Sequence, residues 1–130
     1  MQTVLLVEND AATLVARSLI LRCFGYTVLE ADSRGDAWRA CHEHQGPVHL
    51  ILTKADVDDD SAIEFITRLQ LLNPQLCALF LSAESSPEFS DKQRIPCEYA
   101  LLQTPFRADA LADAIRGLLG ANTNAVSFVA

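Results

Sequence analysis

Five short clusters hold the side chains that could do chemistry. Glu8-Asn9-Asp10 sets two carboxylates around an amide, Lys54 follows the apolar run His49–Thr53, and Ser82 ends the apolar run Cys77–Ser82. Thr104-Pro105 follows Tyr99–Leu102, and Asp56-Val57-Asp58-Asp59-Asp60 places four carboxylates in five residues. Grouped carboxylates can hold a hard cation through oxygen. Beside such an ion a carboxylate can also attack a phosphoryl group, with hydroxyl and ammonium groups contacting the equatorial oxygens.

Several other chemistries fail on residue type or spacing. The Asp56–Asp60 segment starts like a calcium-binding loop, but Ser61 stands where the sharp-turn glycine belongs and Thr67 where the bidentate Glu belongs. It reads as a solvated acidic loop at the start of the helix that Ser61 opens, where negative charge is favoured. His42 and His44 lie about 200° apart around a helix and cannot chelate together. Ser82 has no neighbouring His or acidic partner that suggests a hydrolase triad. Trp38 reads as core. Cys23, Cys41, Cys77 and Cys97 form no Cys-x-x-Cys pair and sit among apolar neighbours, so they read as buried free thiols.

The elements that must position these clusters follow from periodicity. Thr3–Glu8 is a first strand, Asn9-Asp10 caps a helix that ends at Gly25, and Thr27–Glu30 is a second strand. Asp32 or Ser33 caps a helix through about His44, which Gly46-Pro47 stops. His49–Thr53 is the third strand, and the helix from Ser61 carries Phe65, Ile66, Leu69 and Leu72 at helical spacing. Cys77–Ser82 is the fourth strand, a short helix is expected around Glu88–Arg94, and Tyr99–Leu102 is the fifth strand. The last helix places Leu111, Ala114, Ile115 and Leu118 on one face and is expected to end near Gly117 or Gly120.

Strands that are continuously apolar and alternate with helices predict an α/β fold: a doubly wound, five-stranded parallel sheet in the order 2-1-3-4-5, covered on both faces. In such sheets the site lies beyond the carboxyl ends of the strands, which is where the Glu8, Lys54, Ser82 and Thr104 clusters fall. The 130 residues are expected to form one domain over 1–120, with 121–130 as a tail. The net charge of −7 argues against nucleic-acid binding by this domain. No apolar run approaches the ~18–20 residues of a membrane span, and Met1-Gln2-Thr3 does not open a signal peptide, so a cytoplasmic location is expected.

In this order and spacing the residues resemble the receiver domain of bacterial two-component response regulators, a flavodoxin-like fold, from about Thr3 to Leu119. The resemblance rests on Val4–Asp10, Gly25–Val28 with Ala31 and Asp36-Ala37, His49–Thr53, Leu81-Ser82-Ala83 and Pro105-Phe106. It implies acidic residues after strand one that bind Mg2+, an Asp after strand three that accepts a phosphoryl group, a Ser or Thr at the end of strand four, and a Lys before the proline, joined to it by a cis bond. Carried over residue by residue, Glu8 keeps the first acidic position and Asn9 neutralises the second. Lys54 stands at the phosphoacceptor position, Ser82 keeps the hydroxyl, and Thr104 replaces the Lys before Pro105. Leu101 stands where the family has a signalling aromatic, with Tyr99 two residues away.

A lysine can neither form an acyl phosphate nor ligate Mg2+, so the resemblance implies a pseudo-receiver. It would have no catalytic residue, metal or cofactor, and would act by protein–protein interaction in a phosphorelay. Lys54 is expected to pair with Glu8 or Asp10. The partner is expected to be a histidine kinase, an output domain or a second copy, meeting the face of the fourth helix, fifth strand and last helix, with no nucleic acid or membrane involved. The rival expectation is a phosphoryl-accepting receiver that uses a displaced carboxylate such as Asp56 with Mg2+.

Overall fold

The apolar runs pair side by side as a five-stranded, all-parallel sheet in the order β2-β1-β3-β4-β5. The computed structural model of the chain describes residues 2–54, 60–83 and 97–122. Among them the elements are β1 (Thr3–Val7), α1 (Ala11–Cys23), β2 (Thr27–Ala31), α2 (Arg34–Glu43), β3 (Leu50–Lys54), α3 (Asp60–Leu72), β4 (Cys77–Ser82), β5 (Tyr99–Gln103) and α4 (Ala108–Asn122). This is the predicted fold class and strand order. The helix expected around Glu88–Arg94, and Asp56, Asp58 and Asp59 of the acidic loop, lie outside the described residues.

Alternation along the strands divides the core in two. On one face Val4, Leu6, Val28, Leu50, Leu52, Leu79 and Leu81 are buried under Leu14 and Leu21 of α1 and Leu111, Ile115, Leu118 and Leu119 of α4. On the other, Leu5, Ala31, Ile51, Ala78 and Phe80 lie under Ala37, Trp38 and Cys41 of α2 and Phe65, Ile66 and Leu69 of α3. With both faces covered, polar side chains are confined to the strand ends, where loops meet water.

Local signals explain most boundaries. Asp10 caps α1 by accepting from the Thr13 amide, and Ser33 caps α2 by accepting from Asp36. At the end of α1, the Gly25 amide donates to the Arg22 carbonyl and the Tyr26 amide to the Leu21 carbonyl; Gly25 supplies the φ of +95° that this closure needs. The last helix departs from expectation. It runs through Gly117 and Gly120 to Asn122 because Leu118 and Leu119 are buried beyond the first of these glycines, and their packing outweighs a glycine's cost of about 1 kcal/mol. Ala121 and Asn122, expected in the tail, therefore belong to α4, and 123–130 lies outside the described residues.

The cysteines are less buried than expected. All four thiols are free, but only Cys77 is buried; Cys41 and Cys97 are half-buried and Cys23 is exposed. Cys23 falls on the outer side of α1 with Val15 and Leu19, away from the stripe that meets the sheet. Burial raises the Cys41 thiol pKa and lifts that of Cys97 to about 11. No described helix is long and apolar enough to cross a membrane.

His49 joins the start of the sheet by a side-chain bond: its Nδ1 accepts from the Thr3 amide at 2.9 Å. That bond requires a ring unprotonated at Nδ1. Burial, assisted by the positive amino terminus and then by His44, lowers the His49 pKa below its ordinary value. The neutral ring's contribution to stability is therefore complete above the ordinary value of about 6.5 and is lost as the pH falls below it. Thermal unfolding followed by circular dichroism from neutral to mildly acidic pH should show this loss. His49→Asn, whose Oδ1 can accept the same bond without titrating, should flatten the dependence; an identical slope in the variant would contradict the assignment.

Candidate functional site

Parallel pairing brings the carboxyl ends of β1, β3, β4 and β5 to one edge of the sheet, where a cavity of about 270 Å3 opens. It is lined by Glu8, Asn9, Thr13, Arg17, Lys54, Leu81, Ala83 and Thr104. A larger cavity of about 480 Å3 lies at the opposite, amino end between the segments Gly46–His49 and Leu72–Gln75. Its polar groups already serve the fold: His49 accepts from Thr3, and Asn73 Oδ1 accepts from the Val48 amide at 2.8 Å. The smaller cavity is the one that gathers the residues singled out in the sequence.

Its acidic groups are engaged within the chain. Arg17 Nη1 donates to Glu8 Oε1 at 2.7 Å, with both side chains largely buried, and the Asp10 amide donates to Glu8 Oε2 at 2.9 Å. The Arg17 guanidinium also lies 5.6 Å from the centroid of the Phe106 ring, a cation–π contact. Asp10 turns to its own helix, where its Oδ2 accepts from the Thr13 hydroxyl at 2.6 Å and the Thr13 amide at 3.0 Å. These bonds, the hydroxyl's first, hold the Asp10 carboxyl below its ordinary pKa.

Lys54 does not make the expected ion pair with Glu8 or Asp10. It is exposed at the end of β3 and lines the same cavity, while the guanidinium of Arg17 occupies Glu8. The reason is helix geometry. Thr13 and Arg17 stand three and seven residues after the capping Asp10, on the face of α1 that meets the end of β1. Arg17 therefore reaches Glu8 from the adjacent element. That spacing is present in the sequence and is the signal by which Arg17 could have been found.

Ser82 is buried at the end of β4, and its carbonyl accepts from the Thr104 amide at 2.7 Å; the cavity is lined by its neighbours Leu81 and Ala83. Thr104 precedes Pro105 through a cis peptide bond. Leu101 is not among the residues that line the cavity; it and Tyr99 are partly exposed on the face of β5 opposite Ala100 and Leu102, where the Tyr99 ring meets Phe80 edge to face. Asp60 is the first residue of α3.

These residues do not make a seat for Mg2+. Both Glu8 oxygens and Asp10 Oδ2 already accept protein donors, Asn9 is neutral, and an ammonium shares the cavity. Among the described residues no three His, Cys, Asp or Glu side chains are grouped closely enough to hold a metal ion.

No family model matches the chain. The chain is 26% identical over 117 residues to sensor kinase CckA of Brucella abortus, covering 90% of this chain and 12% of that protein. It is 24% identical over 121 residues to the DNA-binding transcriptional regulator NtrC of Azospirillum brasilense, covering 93% of this chain and 25% of that protein. The chain thus spans a quarter or less of the length of these curated relatives. Among solved structures it superposes on a response regulator receiver domain protein from Clostridium thermocellum with a TM-score of 0.77 at 16% identity, covering 95% of this chain and 98% of that one. The fold of this chain is that of response regulator receiver domains, and its likeness to segments of a sensor kinase and a transcriptional regulator supports the same assignment.

Proposed function

We propose that the chain is a receiver-like signalling domain of a two-component phosphorelay that works without accepting a phosphoryl group, through contact with another protein. The observation that carries this reading is the charge arrangement at the strand ends. Glu8 is held by Arg17, and the residue that ends β3, where the resemblance puts the acceptor carboxylate, is Lys54. An ammonium at that place offers no carboxylate nucleophile and repels a divalent cation. Arg17 neutralises Glu8 without a metal, and Asp10 turns to Thr13 of its own helix.

A contact face is supported by β5. Tyr99 and Leu101 are 44% and 37% exposed on the side away from α4, while Ala100 and Leu102 pack inward. Exposed large apolar side chains on an edge strand suit docking of a protein partner, such as a histidine kinase, an output domain or a second copy.

Incubation with a small phosphodonor and Mg2+, followed by intact-mass measurement, tests the reading. The expected mass is unchanged; a phosphoryl adduct mapped to a carboxylate such as Asp56 would overturn it. The structural role of the Glu8–Arg17 pair is tested by a double-mutant cycle with Glu8→Gln and Arg17→Met. Removing Arg17 leaves a largely buried carboxylate short of a donor, so this variant should lose about 1–2 kcal/mol in denaturant unfolding. Much of that loss should be absent when Glu8→Gln is already present; strictly additive losses would mean that the two residues do not act as a pair.

A further inference from the structure

Three of the described helices turn charge of both signs to solvent: Arg39 and Glu43 on α2, Glu64 and Arg68 on α3, Asp113 and Arg116 on α4. Helix α1 does not. It contains no Asp or Glu, and Arg17 is engaged by Glu8. Its outer face carries Ala12, Val15, Ala16, Leu19 and Cys23, all exposed, with Val15 at 56% and Leu19 at 59%. The one exposed charge of the helix, Arg22, stands at the margin of this face and is drawn back to Glu30 of β2 at 3.8 Å. The stripe that meets the core is a different one, which includes Leu14 and Leu21. Apolar side chains exposed singly need no explanation, but a contiguous uncharged face on a surface helix marks a place of contact.

The spacing of the face says what fits it. Ala12, Ala16, Leu19 and Cys23 recur at intervals of four, three and four, the seam of a knobs-into-holes helix pair. The small residues at 12 and 16 let a second helix approach closely, and the larger ones at 19 and 23 need room opposite. We infer that this face pairs with α1 of a second copy in an antiparallel, two-fold arrangement, with Ala16 of each copy facing Leu19 of the other and Ala12 facing Cys23. In that register every larger side chain meets a small one, and the face complements itself as an isologous contact requires. A parallel pair would set Leu19 on Leu19 and leave alanines facing each other across a gap. Charge agrees with a second copy as the occupant. Two chains that each carry −7 repel one another unless they meet where carboxylates are absent, and α1 has none. A helix of thirteen residues is about 20 Å long, and one face of it buries less than the ~800 Å2 per partner of a standard stable interface, so the dimer is weak, with a Kd on the order of 100 µM. The face is separate from β5, so the inference goes beyond the signalling reading and does not depend on it.

Sedimentation equilibrium of the full chain under reducing conditions, from about 10 µM to about 1 mM, should show the average mass rising from one chain toward two. Leu19 is exposed, so Leu19→Glu should keep the native circular dichroism spectrum while weakening association at least about tenfold, because it sets a carboxylate from each copy into the seam. Leu101→Glu on β5 should leave association unchanged. The register is read from Ala12→Cys under mild oxidation, with the linked peptides mapped by mass spectrometry. The thiol introduced at position 12 should bond to Cys23, and since the two positions lie about 16 Å apart along one helix, that bond can form only between chains. A chain that stays monomeric across the range, its α1 face then left to a helix of another protein, would overturn the inference. So would association that survives Leu19→Glu, or Cys23 bonded to Cys23 as the main product. None of these outcomes bears on the phosphodonor test of the signalling reading.

Discussion

Parallel pairing of all five strands is the constraint on which everything else in this molecule depends. Parallel neighbours cannot be joined by a tight turn, so each connection must cross a face of the sheet, and helices come to cover both sides. The covered strands must then be apolar on both faces. That leaves their ends as the places where charged side chains can stand, and it gathers four carboxyl ends at one edge. Glu8, Lys54 and Thr104 belong to three segments far apart in sequence and share one cavity for this reason alone.

Within that edge the decisive interaction is the pairing of Glu8 with Arg17. A guanidinium is always charged and offers several donors in a fixed plane, so it neutralises a carboxylate without needing a metal or a change of protonation. Phe106 beneath the guanidinium and the Asp10 amide on the second carboxylate oxygen hold both partners in place. The same connection caps α1, so the geometry of the acid cluster and the start of the helix are one structure. Lys54 lines the same cavity but stays outside this pair.

The fold was legible in the sequence because its signals are local and repeated. Continuous apolar runs, capping residues at Asp10 and Ser33, and a glycine at position 25 each dictate their own segment, and right-handed crossovers leave few topologies. The ends were less legible where packing overrides propensity, as in α4, where the buried Leu118 and Leu119 carry the helix past Gly117. At the strand ends, residue types pointed to a group that the fold gathers around one cavity but not to the ion pair within it. Lys54 was the natural partner for Glu8 by charge alone; Arg17 won because a helix starting at Asp10 delivers its second turn against the end of β1. That requires knowing how α1 lies on the sheet, which spacing suggests and only the packed structure establishes. The outward turn of Cys23 is a similar case, since an apolar neighbourhood in sequence does not say which side of a helix meets the core.

We propose that Arg17, paired with Glu8, leaves no room beside that carboxylate for a metal ion. It is tested most directly by titrating the isotope-labelled chain with magnesium chloride while following the backbone amides of Glu8, Asn9 and Asp10, with sodium chloride at matched ionic strength as the reference. The account predicts no saturable shift at these amides through the millimolar range. Saturable shifts centred on Glu8 and Asp10, with Arg17 released from its carboxylate, would contradict it.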